Sequence, residues 1–524
     1  MTQQIDYFVI APPLALAVVA GLVLLLDVFL PVATRTRTAL GLVTLAGVVV
    51  ALGFVIAQAA GDTSRATFCV PPDLATGGAG TLCSFVADRF TTVFAGLVLV
   101  AALVVVLMSM TELAGGGIPA GEWYFLLLCT LVGAVTLPAS RDLIMLVVAL
   151  ELVSLPVFAL TALRRYDGRA SEAAVKLFVV SVVSTAVMLF GVSLLYGVSG
   201  AVHLSRVAAV LGGRIPAPGA AAGTHSTVLA TAHGLPAVVT VGVVLVAAGF
   251  AFKIAAVPFH SWAADVYQGA PVPVAALLSV ISKAAGFAGL ILVLVTGLAG
   301  QSSTWGPVIA VVSALTMTVG NLLAMRQRSA VRMLAWSSVA QSGYVLAPLA
   351  IAATAAPSQA ASQAPSQAAT GTSVAYLVIY AAMNLGAFAV VMLVSRAAPR
   401  NELDDYRGLV LRSPAAGIAL AFCLVCLAGL PPGLAGLFAK VFVFRTIVEG
   451  GLGWLALVMA VNTVIGLYYY AAWVARLFAP AGETRLRGSS PSAWLAVGLA
   501  LAVAILFSVA PQLVLDLTSL SATS

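Results

Sequence analysis

Residues 236–260 read Pro236-Ala-Val-Val-Thr-Val-Gly-Val-Val-Leu-Val-Ala-Ala-Gly-Phe-Ala-Phe-Lys253-Ile-Ala-Ala-Val-Pro258-Phe-His260. Residues 236–252 carry no ionisable group; a lysine then sits inside the apolar run, with Pro258 five residues beyond it. A run this long and apolar crosses a bilayer. Pro258 interrupts the helix, and such a break survives in lipid only where the freed backbone faces protein or a water-filled cavity. A lysine kept at that depth costs free energy and implies use. The stretch therefore predicts a membrane protein with a working polar interior.

The rest of the chain agrees. Of 524 residues, 62% are hydrophobic and only 8% charged, too few for the hydrated surface of a soluble domain. The mean hydropathy is +1.11. About fourteen spans are predicted, at 8–30, 38–60, 86–110, 119–138, 143–163, 172–197, 236–260, 273–297, 305–325, 331–352, 373–396, 413–446, 452–477 and 491–513. The twelfth is too long for one straight crossing, and Gly429-Leu-Pro431-Pro432-Gly433 breaks it. The first apolar stretch lacks the basic leader of a cleavable signal. The fold class expected is an all-α integral membrane protein with broken helices 7 and 12.

Charge sets the orientation. With loops numbered alternately, one side holds fifteen arginines, among them Arg35, Arg164, Arg332, Arg407 and Arg476, and the other holds Arg65, Arg141, Arg206 and Arg214. The arginine-rich side is expected to be cytoplasmic, with both termini outside. Arginines in short loops between apolar runs are no nucleic-acid footprint, so lipid and membrane proteins are the expected partners. Residues 198–235, with His203, His225 and His233, and the Ala/Ser/Gln-rich 353–372 are expected to be flexible outer insertions rather than sites. Cys423 and Cys426 lie inside an apolar helix and are expected to be small buried hydrophobes. Cys69 and Cys83 share one outer loop and pair only if that loop faces an oxidising compartment.

Twenty-one arginines cluster at span ends, whereas all four lysines, Lys176, Lys253, Lys283 and Lys440, fall inside apolar spans. Arginine keeps its proton at any working pH, whereas a desolvated lysine can exchange it. Four lysines plus Glu151 at midplane cost on the order of 15 kcal/mol if unpaired. Glu151, in the middle of span 5, is the acid expected to pair with a buried lysine. Lys253 before Pro258 and Pro431-Pro432 before Lys440 lie five helices apart. A five-helix unit used twice, as spans 4–8 and 9–13, accounts for that spacing, and an odd-numbered unit inverts on repetition. The divisions expected are a three-helix segment 1–118, repeats 119–297 and 298–477, and a final helix 478–524.

Several motifs resemble the antiporter-like membrane subunits of the NADH–quinone oxidoreductase and Mrp families. They are Phe252-Lys253 with Val-Pro258-Phe259-His260-Ser-Trp262 and Asp265-Val-Tyr267-Gln-Gly269-Ala270-Pro271; Ser282-Lys283 in span 8; Leu334-Ala-Trp-Ser-Ser-Val-Ala-Gln-Ser-Gly343-Tyr344; Met383-Asn384-Leu-Gly386; Asp404-Asp405-Tyr406-Arg407-Gly408-Leu409; and Leu430-Pro-Pro-Gly to Lys440. Together they cover roughly residues 120–475. Tyr267 and Gly269, where sister subunits carry an Ala-His type sequence, Lys440 rather than glutamate, and the lack of a long lateral helix after span 14 resemble the N type rather than L or M. The resemblance implies a proton-translocating subunit of a bacterial plasma-membrane respiratory complex, driven by quinone reduction elsewhere; the alternative is an Mrp-like cation/proton antiporter subunit. It implies Glu151 and Lys253 as an ion pair, Lys283 as central proton carrier, Lys440 as terminal carrier and Lys176 as a secondary membrane lysine. Pro258, Pro431 and Pro432 shape the helix breaks, with His260 an anchor. It further implies no redox centre in this chain, flavin, iron–sulfur clusters and quinone in partner subunits, and neighbours of the M/L and small K/J/A types. Two departures are Ala264, where the family carries proline, and Gln341, where many members carry a histidine; glutamine can order water but cannot titrate.

Overall fold

The computed structural model describes residues 5–31, 33–61, 64–71, 82–164, 166–213, 236–352, 363–398, 400–480 and 490–519. Its membrane helices are span 1 (Ala11–Phe29), span 2 (Thr34–Ala60), span 3 (Arg89–Leu113), span 4 (Ala120–Thr136), span 5 (Leu143–Ala162), span 6 (Gly168–Ser199) and span 7 (Pro236–Lys253). Span 8 (Val272–Gly297) follows. Then come span 9 (Ser302–Ala324), span 10 (Ala330–Ala352), span 11 (Gln363–Ser395), span 12 in two pieces (Pro414–Ala428 and Leu434–Glu449), span 13 (Gly453–Phe478) and span 14 (Pro491–Val509). Aspartates start several of them: Asp88, Asp142 and Asp167 each accept a backbone N–H of the first turn.

Twelve of these are long and apolar enough to cross a membrane by composition. The exceptions are the split span 12 and span 10, which carries Ser337, Ser338, Gln341 and Ser342 and is buried almost throughout. Span 10 needs no lipid face, so it can afford polar side chains. Spans 8 and 11 are 94% buried over their apolar windows, and spans 1 and 6 only 22%. Polar groups collect on the central helices while Val, Leu and Phe of the outer ones face lipid, because hydrocarbon stabilises exposed apolar surface and penalises unpaired polarity.

Both predicted breaks are present. After Lys253 the chain leaves the helix, passes a cis Val257–Pro258 bond, and resumes as a short helix, Trp262–Gly269. The Trp262 indole N–H donates to the Phe252 carbonyl and ties the two pieces together. In span 12 the first piece ends on Gly429 in the left-handed region (φ 82°), followed by a cis Pro431–Pro432 bond.

Four features depart from the sequence expectation. Residues 65–69 and 83–87 form an antiparallel hairpin, closed by a Cys69–Cys83 disulfide, so the chain is not purely helical. The supposed flexible segment 198–235 begins with an ordered helix, Leu204–Leu211, whose Leu204, Val207 and Leu211 are buried. Span 11 starts at Gln363, which turns half of the supposed loop 353–372 into helix, as its alanines and glutamines favour. Span 8 contains two π-helical turns, Leu278–Ser282 and Leu292–Gly297, flanking the segment that starts at Lys283. Residues 214–235, with His225 and His233, and 353–362 lie outside the described residues.

Candidate functional site

Lys283 occupies the centre and is 1% exposed. Its ammonium has three N–H donors. They meet the Ser338 carbonyl, the Ser338 hydroxyl at 2.6 Å and the Ser342 hydroxyl at 2.9 Å. Ser338 also accepts from the Tyr380 hydroxyl at 2.8 Å, and Ser342 Oγ donates to the Ile254 carbonyl, beside Lys253. Among the described ion pairs none involves Lys283. Among the described residues only neutral oxygens hold this nitrogen, and hydroxyls can take or give a proton in turn.

Lys253 ends the helical part of span 7, and its Nζ donates to Ser154 Oγ at 2.6 Å. Its stem packs beside span 8: a Cβ on Gly286 would lie 3.0 Å from Lys253 Cγ. The expected contact ion pair with Glu151 is absent from the described ion pairs. Glu151 instead accepts from the Thr185 hydroxyl of span 6 at 2.7 Å. Ser154, one helical turn further along span 5, takes the ammonium, and the two charges act on each other through space. Ser154, Ser181, Ser282 and Lys253 line a small cavity with room for about one water.

Lys440 springs from the second piece of span 12 and reaches back to the end of the first, donating to the carbonyls of Leu427 (3.1 Å) and Ala428 (2.7 Å). These carbonyls lack helical partners because the helix stops at Gly429, and a helix C-terminus favours a cation. The ammonium also lies 5.6 Å from the centre of the Tyr344 ring. Tyr344 stacks on Tyr376, whose hydroxyl donates to Gln341 Oε1 at 2.6 Å. Gln341 lies on span 10 between Ser338 and Ser342. Ser342 thus ties Lys283 to the backbone carbonyl beside Lys253, and Tyr344, Tyr376 and Gln341 lead from Lys440 to the helix that carries Ser338 and Ser342.

Lys176 does not belong to this interior. It is 45% exposed and pairs with Glu172 at 2.7 Å and Asp265 at 3.1 Å. Asp265 also binds Arg332 at 2.8 Å. Span 6 has 32 residues, or roughly 48 Å, which exceeds the hydrocarbon core, so its ninth residue lies near the arginine-rich surface. Burial alone would raise the Asp265 pKa, but hydrogen bonds from Arg332 and Lys176 outweigh it and hold the carboxyl below its usual range. The stabilisation from this cluster is complete above the ordinary aspartate pKa and is lost as the pH falls through the lowered one. His260 packs edge-on to Trp336 at 5.5 Å, in keeping with an anchor at the break.

The serines and tyrosines around the lysines escaped the sequence reading. Their signal is faint: Ser338/Ser342 and Tyr376/Tyr380 each recur at i, i+4, placing two hydroxyls on one face of a buried helix.

Residues 140–466 match the family model described as NADH:quinone oxidoreductase/Mrp antiporter, TM. The chain is 48% identical to NADH-quinone oxidoreductase subunit N 2 of Streptomyces griseus, over 99% of this chain and 94% of that protein. It superposes on a chain of respiratory complex I from Thermus thermophilus with a TM-score of 0.73 and 28% identity, covering 96% of this chain and 98% of the other. A chain of the Mrp complex from Dietzia sp. shares the fold, with a TM-score of 0.76 at 20% identity, covering 97% and 96%. The chain is a member of the NADH:quinone oxidoreductase/Mrp antiporter family of membrane subunits and groups with the subunit N proteins within it.

Proposed function

We propose that this chain translocates protons in the membrane arm of an NADH–quinone oxidoreductase, using energy released by quinone reduction in other subunits. The observation that supports this most is the set of three buried lysines, each held by neutral hydroxyl or carbonyl oxygens. Glu151 biases the charge on Lys253 through space, so loosening that influence would favour loss of the Lys253 proton. Lys283 passes the proton on, and Lys440 delivers it. Flavin and iron–sulfur clusters belong to peripheral partners, and the neighbours in the membrane are other antiporter-like subunits and small K/J/A-type subunits. The arginine-rich face is cytoplasmic and the termini lie outside, which agrees with a disulfide in the opposite-facing loop.

Gentle purification from the host's plasma membrane through a tag on this chain tests the reading. Flavin and iron–sulfur absorbance should co-elute with NADH–quinone reductase activity. Recovery with antiporter subunits alone, and sodium–proton exchange without NADH oxidation, would favour an Mrp-type function instead.

A further inference from the structure

We propose that the hydroxyl of Tyr267 is a proton relay joining the arginine-rich face to Lys283, completed by one bound water between it and the Asn384 side chain. This rests on the proton-carrying role of Lys283 given above.

Tyr267 lies on the short helix Trp262–Gly269, which carries both ends of the route. Two residues earlier, Asp265 is 40% exposed among Lys176 and Arg332. Tyr267 itself is 1% exposed. Its ring is wedged against Trp262 and Phe388, with centroids at 6.2 and 6.5 Å. Its hydroxyl lies beside Ser338, the residue that holds Lys283, but among the described residues no hydrogen bond of ordinary geometry satisfies it. A second unpartnered polar atom borders the same cluster. Asn384 Nδ2 donates to Ser279 Oγ at 2.8 Å, whereas Asn384 Oδ1 has no partner among the described residues. Asn384 lies one helical turn from Phe388, on which Tyr267 packs, and the Ser279 carbonyl accepts from Tyr380.

A buried hydroxyl and a buried amide oxygen without partners each lose the hydrogen bonds water gave them, and native structures seldom leave them so. One water donating to Asn384 Oδ1 and bonding to the phenol satisfies both. Depth supports the same route. Ser338 is eight residues into span 10 and Lys283 eleven into span 8, or roughly 12 and 16 Å from their arginine-rich ends. Tyr267 precedes span 8 on that side, so its side chain covers the outer part of the distance.

A phenol both donates and accepts. It takes a proton from the water as its own O–H proton passes to the Ser338 oxygen. Ser338 in turn releases its proton to the neutral Lys283 amine. The water regains a proton entering from the arginine-rich face, so each bond to hydrogen formed is matched by one broken, and the net change is transfer of one proton from that face to Lys283.

Tyr267→Phe and Tyr267→His, compared in inverted membrane vesicles with the complex intact, separate relay from packing. Phenylalanine keeps the ring and its contacts with Trp262 and Phe388 but removes the hydroxyl. Histidine disturbs that packing but restores a group that can pass protons. A relay predicts that Phe slows proton transfer through this subunit about tenfold and that His recovers part of it. Near wild-type pumping in Tyr267→Phe, or a defect larger in His than in Phe at equal subunit content, would overturn the proposal. Lys283→Ala serves as the reference. If it too pumps normally, the underlying reading of Lys283 fails; if only Tyr267→Phe is normal, the relay alone fails.

Discussion

Lys283→Ala should slow proton transfer through this subunit on the order of a hundredfold, and Lys283→Arg should do no better. Alanine leaves Ser338 and Ser342 facing each other without the group that takes and releases the proton. Arginine keeps the charge but holds its proton far too tightly to exchange it during turnover. If Lys283 were only a structural cation satisfying Ser338 and Ser342, arginine would substitute in part and alanine would not. Acridine quenching in inverted vesicles, normalised to subunit content by immunoblot, reads the difference. Pumping restored by arginine but not by alanine would show that charge alone matters.

Gly436→Ala should remove the subunit from the assembled complex. The two pieces of span 12 meet backbone to backbone here: an added Cβ would lie 1.7 Å from the Cys426 carbonyl oxygen and 2.7 Å from its carbon. Overpacking costs ~1–3 kcal/mol where side chains can yield, and a backbone carbonyl beside Gly429 and the two prolines has less freedom than that. The same contact brings Lys440 to the carbonyls of Leu427 and Ala428, so whatever assembles should pump poorly. Gly96→Ala in span 3, where a Cβ meets nothing within 4 Å, is the control. Native-gel bands of equal strength for both variants would contradict the tight-contact account.

The lysines and the breaks were legible because a bilayer makes them expensive. An ammonium or a proline in hydrocarbon needs a reason, and the separation of Arg from Lys marked which cations were buried. Lys176 was misread because apolar composition does not say where a 32-residue helix leaves the membrane. Its carboxylate partner Asp265 is 89 residues away in sequence. The Glu151–Lys253 pair was anticipated as a contact, yet Ser154 lies one turn along the same face and is short enough to sit under the ammonium. Ser338, Ser342, Tyr376 and Tyr380 were hidden for the opposite reason: single hydroxyls are common in membrane helices, where they bond to the preceding turn. Of the π-helical turns around Lys283, Leu278–Ser282 contains neither proline nor glycine, and Leu292–Gly297 has a glycine only at its end, too little for a sequence pattern to register.

The central claim is that Lys253, Lys283 and Lys440 act in series on one route. Its most direct test is the number of protons moved per quinone reduced in Lys253→Met, Lys440→Met and the double variant, each at matched subunit content. A single route predicts that either substitution alone lowers the ratio to the level of Lys283→Ala and that the double falls no further. Two single variants that each keep a substantial share, with a double variant well below both, would mean separate parallel routes and would contradict the account.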